Sequence, residues 1–295
     1  PPRSTLFPYT TLFRSGSFTV LPVVLKIVPL YNFDAAHQPL GRSPFPFSHY
    51  ARRALPLSHF TQIWRIVMPL PNSLIFINQV ITMKIIYMVL GPFMTNTYIA
   101  YNEETMDGIV VDPSFSPEQY IHALQDKKIH LRSILLTHAH VDHMAGMNAL
   151  RKAFPEAKMY MDKRDQQWLR SPERNLSYMF PNPVIVDDAD VWVKDGDTID
   201  TCGFSFQVID TAGHTPGGIS FYEKKGGFVF TGDSLFQRSI GRTDFPGGNL
   251  KELVGNIRKN LFVLPDSTVV LSGHGNQTTI GEEKRTNPFL NGGDL

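Results

Sequence analysis

From Met83 onward, apolar positions fall in short runs that end at Gly, Pro or Asp. Lys84–Leu90 and Thr95–Tyr101 predict two strands joined by a Gly91-Pro92 turn. Gly108–Val111 predicts a short strand ending at Asp112-Pro113. Pro117–Lys127 has a helical pattern, with Ser116 as its N-cap and Pro at the first position. Ser133–Thr137 is a buried strand, Met144–Phe154 a helix and Lys158–Met161 another strand. Trp168–Pro183 has no period and predicts a long loop or lid. Phe204–Asp210, Ile219–Tyr222 and Phe228–Thr231 are strands between Gly-rich turns, followed by a helix over Leu250–Leu261 and a strand over Thr268–Leu271. Strands come first, then alternate with helices, and that order recurs. The pattern predicts an α/β protein with two sheets packed inside outer helices, without a short internal repeat.

The first 82 residues differ. No amphipathic period persists there, and 11 of the 22 prolines lie in this part. Pro22 and Pro29 interrupt the apolar run Phe18–Tyr31, where they break a helix or central strand. The bases are Arg3, Arg14, Lys26, Arg42, Arg52, Arg53 and Arg65, and the one acid is Asp34. No small-residue cleavage site follows the apolar run, which argues against a signal peptide. The bases are scattered, which argues against a membrane-surface or nucleic-acid arm. Thr5–Ser15 (TLFPYTTLFRS) is similar to the translation of a common sequencing adapter. Residues 1–82 are therefore expected to be a non-native or disordered leader, adapter-derived and upstream translation, with no function. Residues 83–295 are expected to form the working domain.

Composition changes this picture little. The net charge of +1 conceals a split, because 83–295 carries 21 bases and 26 acids, a net of −5. That balance argues against binding a phosphate backbone. No apolar run reaches about eighteen residues, so no membrane-spanning helix is expected. The single cysteine, Cys202, cannot form an internal disulfide, which favours a reducing, cytoplasmic setting. Its place in the turn Asp200–Gly203 marks it as structural.

The histidines carry the chemistry. His122 and His130 have no partner nearby in sequence and read as surface residues. Five others sit in three clusters. In Thr137-His138-Ala139-His140-Val141-Asp142-His143 a buried strand gives way to a helix. On extended chain, His138 and His140 point the same way and can close on one metal ion. Asp142 and His143 fall where the helix opens and can face a second point. Asp142 as a plain helix N-cap is the structural alternative. His214 sits at the tip of Thr211–Gly218, His274 lies in Gly273–Gly275, and Asp233 follows the strand Phe228–Thr231. Each is unremarkable alone. Together they place imidazoles and carboxylates just past separate strand ends, the donor set that zinc, iron and manganese accept.

On these residues the chain resembles the metallo-beta-lactamase-fold hydrolases, whose H-x-H-x-D-H signature is followed by a distant His, Asp and His. The resemblance covers 83–295 and implies a four-layer αββα sandwich. It implies that His138, His140 and His214 hold one divalent metal, Asp142, His143 and His274 a second, and Asp233 a bridging position. It also implies that Asp112 supports the site from behind a ligand. TGDSLF (231–236), SIGRTDFPGGN (239–249) and SGHGNQTTIGEEKRTNPF (272–289) are similar to the glyoxalase II-like branch, which includes hydroxyacylglutathione hydrolases and persulfide dioxygenases. There Arg242 matches a basic residue that helps bind glutathione. Asp244 stands where glyoxalase II has an aromatic residue. The chain ends shortly after NPFL, like a short form without the C-terminal helical domain that adds basic contacts to glutathione.

The resemblance implies a hydrolase of small thioesters, such as hydroxyacylglutathione, working through a hydroxide that bridges two Zn(2+) ions, with Asp142 and Asp233 at the centre. Fe or Mn suits the same ligands. The alternative is a mononuclear Fe(II) persulfide dioxygenase on His138, His214 and Asp233, and a further one a metal-binding module without turnover. Arg242, Asp244 and Lys251 are the candidate substrate contacts. Trp168–Pro183, with Arg170, Arg174, Tyr178, Met179 and Phe180, either covers the substrate or packs its own aromatics onto the domain.

Overall fold

The structure is a computed structural model that describes residues 19–22 and 83–291. In chain order the first half comprises β1 (Thr19–Pro22), β2 (Met83–Leu90), β3 (Thr95–Asn102), β4 (Asp107–Val111), α1 (Pro117–Asp126), β5 (His130–Leu135), α2 (Val141–Met144), α3 (Met147–Ala153), β6 (Lys158–Asp162), α4 (Pro172–Asn175) and β7 (Val191–Val193). The second half comprises β8 (Thr198–Thr201), β9 (Phe204–Asp210), β10 (Ile219–Glu223), β11 (Phe228–Gly232), β12 (Leu235–Phe236), β13 (Ser239–Ile240), α5 (Leu250–Asn256), β14 (Val269–Ser272), β15 (Thr278–Thr279) and α6 (Ile280–Thr286). Apart from Thr19–Pro22, which pairs antiparallel with β2, the expectations for 1–82 lie outside the described residues.

One sheet has the order β1-β2-β3-β4-β5-β6-β7 and the other β15-β14-β11-β10-β9-β8, with β12 and β13 forming a separate ribbon. Alternation along the strands explains how the sheets stack. Ile85, Ile109, Val111 and Leu135 turn one way and pack against Phe206, Phe221, Phe228 and Phe230 of the second sheet. Their neighbours Ile86, Val110 and Ile134 turn the other way, onto Tyr120 and Leu124 of α1 and Met147 and Leu150 of α3. Val229 and Val270 face outward onto Leu253, Ile257 and Ile280. Both faces of both sheets are thus covered, and the fold is a four-layer αββα sandwich. Truncating one of the four inter-sheet phenylalanines would cost on the order of 3–5 kcal/mol.

Several elements depart from expectation. The helix expected over Met144–Phe154 starts earlier and breaks into α2 and α3. Gly146 lies at the break because it packs against α1: a Cβ there would sit 1.7 Å from the Tyr120 hydroxyl oxygen. Ser116 occupies the N-cap position of α1, but in the left-handed region (φ 57°) and without a side-chain cap bond. The Leu250–Leu261 helix is α-helical only to Asn256 and continues as a π turn, Ile257–Leu261. Most of the unperiodic stretch Trp168–Pro183 belongs to a chain of short helical turns that starts before it, at Lys163, and ends at Met179. Two are 3-10 turns, Lys163–Arg170 and Ser177–Met179, with α4 between them. Cys202 and Gly203, both at positive φ (56° and 82°), form the two-residue turn of the β8–β9 hairpin, which explains the structural place of Cys202.

Candidate metal centre

Two parallel strand pairs bring the polar residues together. β4 and β5 run parallel with Val111 opposite Leu135, so the residues that follow, Asp112 and Thr137-His138, emerge side by side. β11 and β14 are also parallel, with Gly232 opposite Ser272, so Asp233 and His274 emerge together from the other sheet. The sheets meet at this end through the Ile219 amide, which donates to the Thr137 carbonyl at 3.0 Å. The Thr95–His274 bridge ties the last loop to β3.

The predicted residues converge. One donor atom from each of His138, His140 and His214 lies within 4.8 Å of the others, and the same holds for Asp142, His143 and His274. A third group, His138, His143 and Asp233, overlaps both. Asp233 touches both trios: its carboxylate lies 3.2 Å from His143 Nε2, 3.5 Å from His214 Nε2 and 3.4 Å from His274 Nε2. Ring nitrogens of His140 and His214 approach to 2.9 Å. Nε2 of His138, His140 and His143 and Oδ1 of Asp233 are buried without a hydrogen bond among the described residues. Buried polar atoms rarely go unpaired, and three of the residues that carry them, His138, His143 and Asp233, form one of the groups close enough to share a bound cation.

In three of the five imidazoles a carboxylate or backbone carbonyl holds the outer ring nitrogen and turns the other inward. His143 Nδ1 meets Asp112 Oδ2 at 2.9 Å, His214 Nδ1 the Arg242 carbonyl at 2.6 Å and His274 Nδ1 the Phe93 carbonyl at 3.1 Å. Asp112, at φ 50°, also accepts from the Thr137 amide and hydroxyl, both at 2.8 Å. Thr95 donates its hydroxyl to Asp142 at 2.8 Å. Asp142 is not a helix cap, because the N-cap position of α2 is His140. Gly273 permits the close approach of these parts: a Cβ there would sit 2.4 Å from Asp233 Oδ1 and 2.6 Å from His143 Cε1.

The charges divide the cluster. Burial, reinforced by the neighbouring imidazoles, holds His138 well below the ordinary histidine range. Burial and His214 take His140 down to about 3. Burial also lowers His214, outweighing Asp233. These three are neutral, the form that binds metal. Burial opposes protonation of His143 too, but Asp142, Asp233 and Asp112 outweigh it and raise its pKa. His274 rises to about 10 because Asp233 and Asp142 overcome its burial. A cation entering this half would displace those protons.

Asp165 was not anticipated, because it sits in the polar run Lys163–Gln167, which reads as surface. It is buried beneath the cluster and joins two ligand loops. Its carboxylate accepts from the Ala139 amide (3.2 Å), the Thr215 hydroxyl (2.7 Å) and the Gly217 amide (2.6 Å). Burial raises its pKa to about 6, against the pull of those three donors. The folded value exceeds the unfolded value of about 3.9. Its stabilising contribution is therefore complete below pH 4 and is lost as pH rises through 6. Relative to Asp165→Asn, the wild-type advantage in urea unfolding should shrink by roughly 2 kcal/mol between pH 4 and pH 7. A pH-independent difference would contradict this.

The cluster forms the floor of a cavity of about 370 Å³. Arg242 lies on its wall, whereas Asp244 is not on the wall but against Arg242. Lys251, Arg170 and Arg174 do not line it. Of the 168–183 loop, Leu176 and Met179 face the cavity, while Trp168 and Leu169 are buried in the domain. Two residues of the loop thus line the cavity, and two others pack into the domain. Phe245, which packs 5.6 Å from the His140 ring, and Phe236 and Ile240 are lining residues that the sequence did not single out.

Two helix-covered sheets with histidine and aspartate donors gathered at one end define a class of metal-dependent αββα hydrolases. The chain belongs to the metallo-beta-lactamase superfamily, whose sequence profile matches residues 90–274. Hydroxyacylglutathione hydrolase GloC of Haemophilus influenzae is 36% identical over 201 residues, covering 68% of this chain and 94% of that protein. The crystal structure of the BLEG-1 B3 metallo-beta-lactamase is similar with a TM-score of 0.67 and 38% identity, over 70% of this chain and 100% of that one. TTHA1623, solved in a di-iron-bound form, has a TM-score of 0.61 and 33% identity, over 68% of this chain and 98% of its own. Among the described residues no helix is long and apolar enough to cross a membrane.

Proposed function

We propose that the chain is a thioester hydrolase working with two divalent metal ions, zinc in the first instance. His138, His140 and His214 would hold one ion, Asp142, His143 and His274 the other, and Asp233 would stand between them. The observation that carries this reading is the second trio. A site for one ion needs only the first, yet Asp142, His143 and His274 converge just as closely and share Asp233 with it. Bound there, the ions would supply Lewis acidity for a carbonyl oxygen and a water of lowered pKa.

The chain's own residues do the rest. Asp112 and the carbonyls of Arg242 and Phe93 fix three imidazoles in one orientation each. Thr95 steadies Asp142. The apolar walls limit water and strengthen the local electrostatics. The described lining offers no Lys, Tyr, Cys or Glu to protonate a leaving group. A thiolate, with a conjugate acid near pKa 8.5, needs little such help, whereas an amide nitrogen does. That favours a thioester. Similarity to hydroxyacylglutathione hydrolase GloC supports the same bond type.

The test is thiol release by the zinc-loaded full chain from S-lactoylglutathione and from an N-acetylcysteamine thioester, without oxygen. Release from either is expected. Persulfide-dependent oxygen uptake by the iron-loaded chain, with no thioester cleaved, would replace this reading with mononuclear iron chemistry on His138, His214 and Asp233.

A further inference from the structure

Above the donor floor, the cavity wall consists of Phe93, Leu176, Met179, Phe236, Ile240 and Phe245. They come from three separate segments, around residues 93, 176–179 and 236–245, so the apolar character is not an accident of one loop. It continues outward: of the lining residues themselves, Phe93 is 43% exposed and Met179 49%, while Phe180 packs between Phe93 (6.1 Å) and Phe115 (5.2 Å). An exposed apolar rim continuous with an apolar cavity marks a place where apolar surface is buried on binding.

The one cationic side chain on the described wall besides the histidines is Arg242, and it is engaged. Its Nε donates to Asp244 Oδ1 at 2.7 Å and its Nη2 to Oδ2 at 2.6 Å. The guanidinium lies 4.2 Å from the centre of the Phe245 ring, presenting a stacked plane rather than a free charge. The cations on the neighbouring loop are engaged as well. Arg174 lies over Trp168, and Arg170 faces Asp187 and Asp188. A thiol carrying carboxylates, as glutathione does, would meet Asp244 and would have to displace it from Arg242.

Building on the thioesterase reading, we propose that the preferred substrate is a thioester with an apolar acyl group and an uncharged thiol. Asp244 is then a specificity residue that disfavours anionic thiols by occupying Arg242. The pair is exposed, so its effect is modest: releasing Arg242 is worth about fivefold.

The experiment compares kcat/KM of the zinc-loaded full chain for a hexanoyl thioester of N-acetylcysteamine and for S-lactoylglutathione, in wild type and Asp244→Asn. Calorimetry on the metal-free chain with the inert thioethers S-hexylglutathione and S-hexyl-N-acetylcysteamine reads binding apart from turnover. The wild type should prefer the uncharged compound in both measurements. Asp244→Asn should raise the glutathione-to-uncharged ratio about fivefold. Preference for the glutathione compounds by the wild type, or an unchanged ratio in the variant, overturns the substrate assignment while leaving the thioesterase reading intact. Cleavage of neither thioester removes the thioesterase reading, and the assignment with it.

Discussion

Replacing Asp233 with alanine is expected to lower thiol release by more than about 100-fold, since even a hydrogen-bond partner of a metal ligand costs 10–100-fold. Among the described residues Asp233 is the one carboxylate that reaches histidines of both trios, at 3.2 Å, 3.5 Å and 3.4 Å. Removing it leaves His143 and His274 without one of the acids that hold their protons, and leaves the trios without a shared donor. Loss of metal from both positions should accompany the loss of rate, measured as zinc retained after gel filtration. Full activity with Asp233→Ala would show that the trios act independently.

The second large effect is expected at Asp112, which touches no substrate. Asp112→Ala would leave the Thr137 amide and His143 Nδ1 without their partner in a buried place, and the Thr137 hydroxyl with only His138 Nδ1, at 3.1 Å. Each orphaned group costs about 1–3 kcal/mol, so thermal stability should fall markedly. His143 would no longer be fixed with Nε2 toward the cluster, and zinc affinity should drop by about 10–100-fold. Asp112→Asn keeps the shape and should recover part of the stability but less of the affinity. Equal recovery of both would make Asp112 a purely structural residue.

The contrast between Asp112 and Asp165 shows what can be read from a chain. Asp112 was visible because it ends a clear apolar strand and matches a strand-end aspartate of the family that the chain resembles. Asp165 lies among Lys163, Arg164, Gln166 and Gln167, and nothing in that run distinguishes a buried carboxylate from a solvated one. The longer strands of both sheets were legible because both their faces are buried, so they read as short apolar runs bounded by Gly, Pro or Asp. β7, β8 and β15 were not, being two to four residues long and defined by pairing partners far away in sequence. α6 was hidden because Gly281 and four charged residues fill most of its seven positions, although Thr279 caps it. The seven metal-donor candidates could be named from spacing and resemblance. Their convergence depends on which strands run parallel, β4 with β5 and β11 with β14, and strand order is not written in local sequence. The lining of the cavity was least legible of all. Phe93 and Phe245 lie in a turn and a loop, Phe236 in the two-residue strand β12, and they meet only after the sheets have formed.

The central claim is that two metal positions act together on a thioester. The most direct measurement is an oxygen-free titration of the metal-free full chain with zinc, following thiol release at each addition. Activity should stay low through the first equivalent and reach its plateau at two zinc ions per chain. A plateau at one ion per chain, or activity that appears only with iron and oxygen, would contradict it.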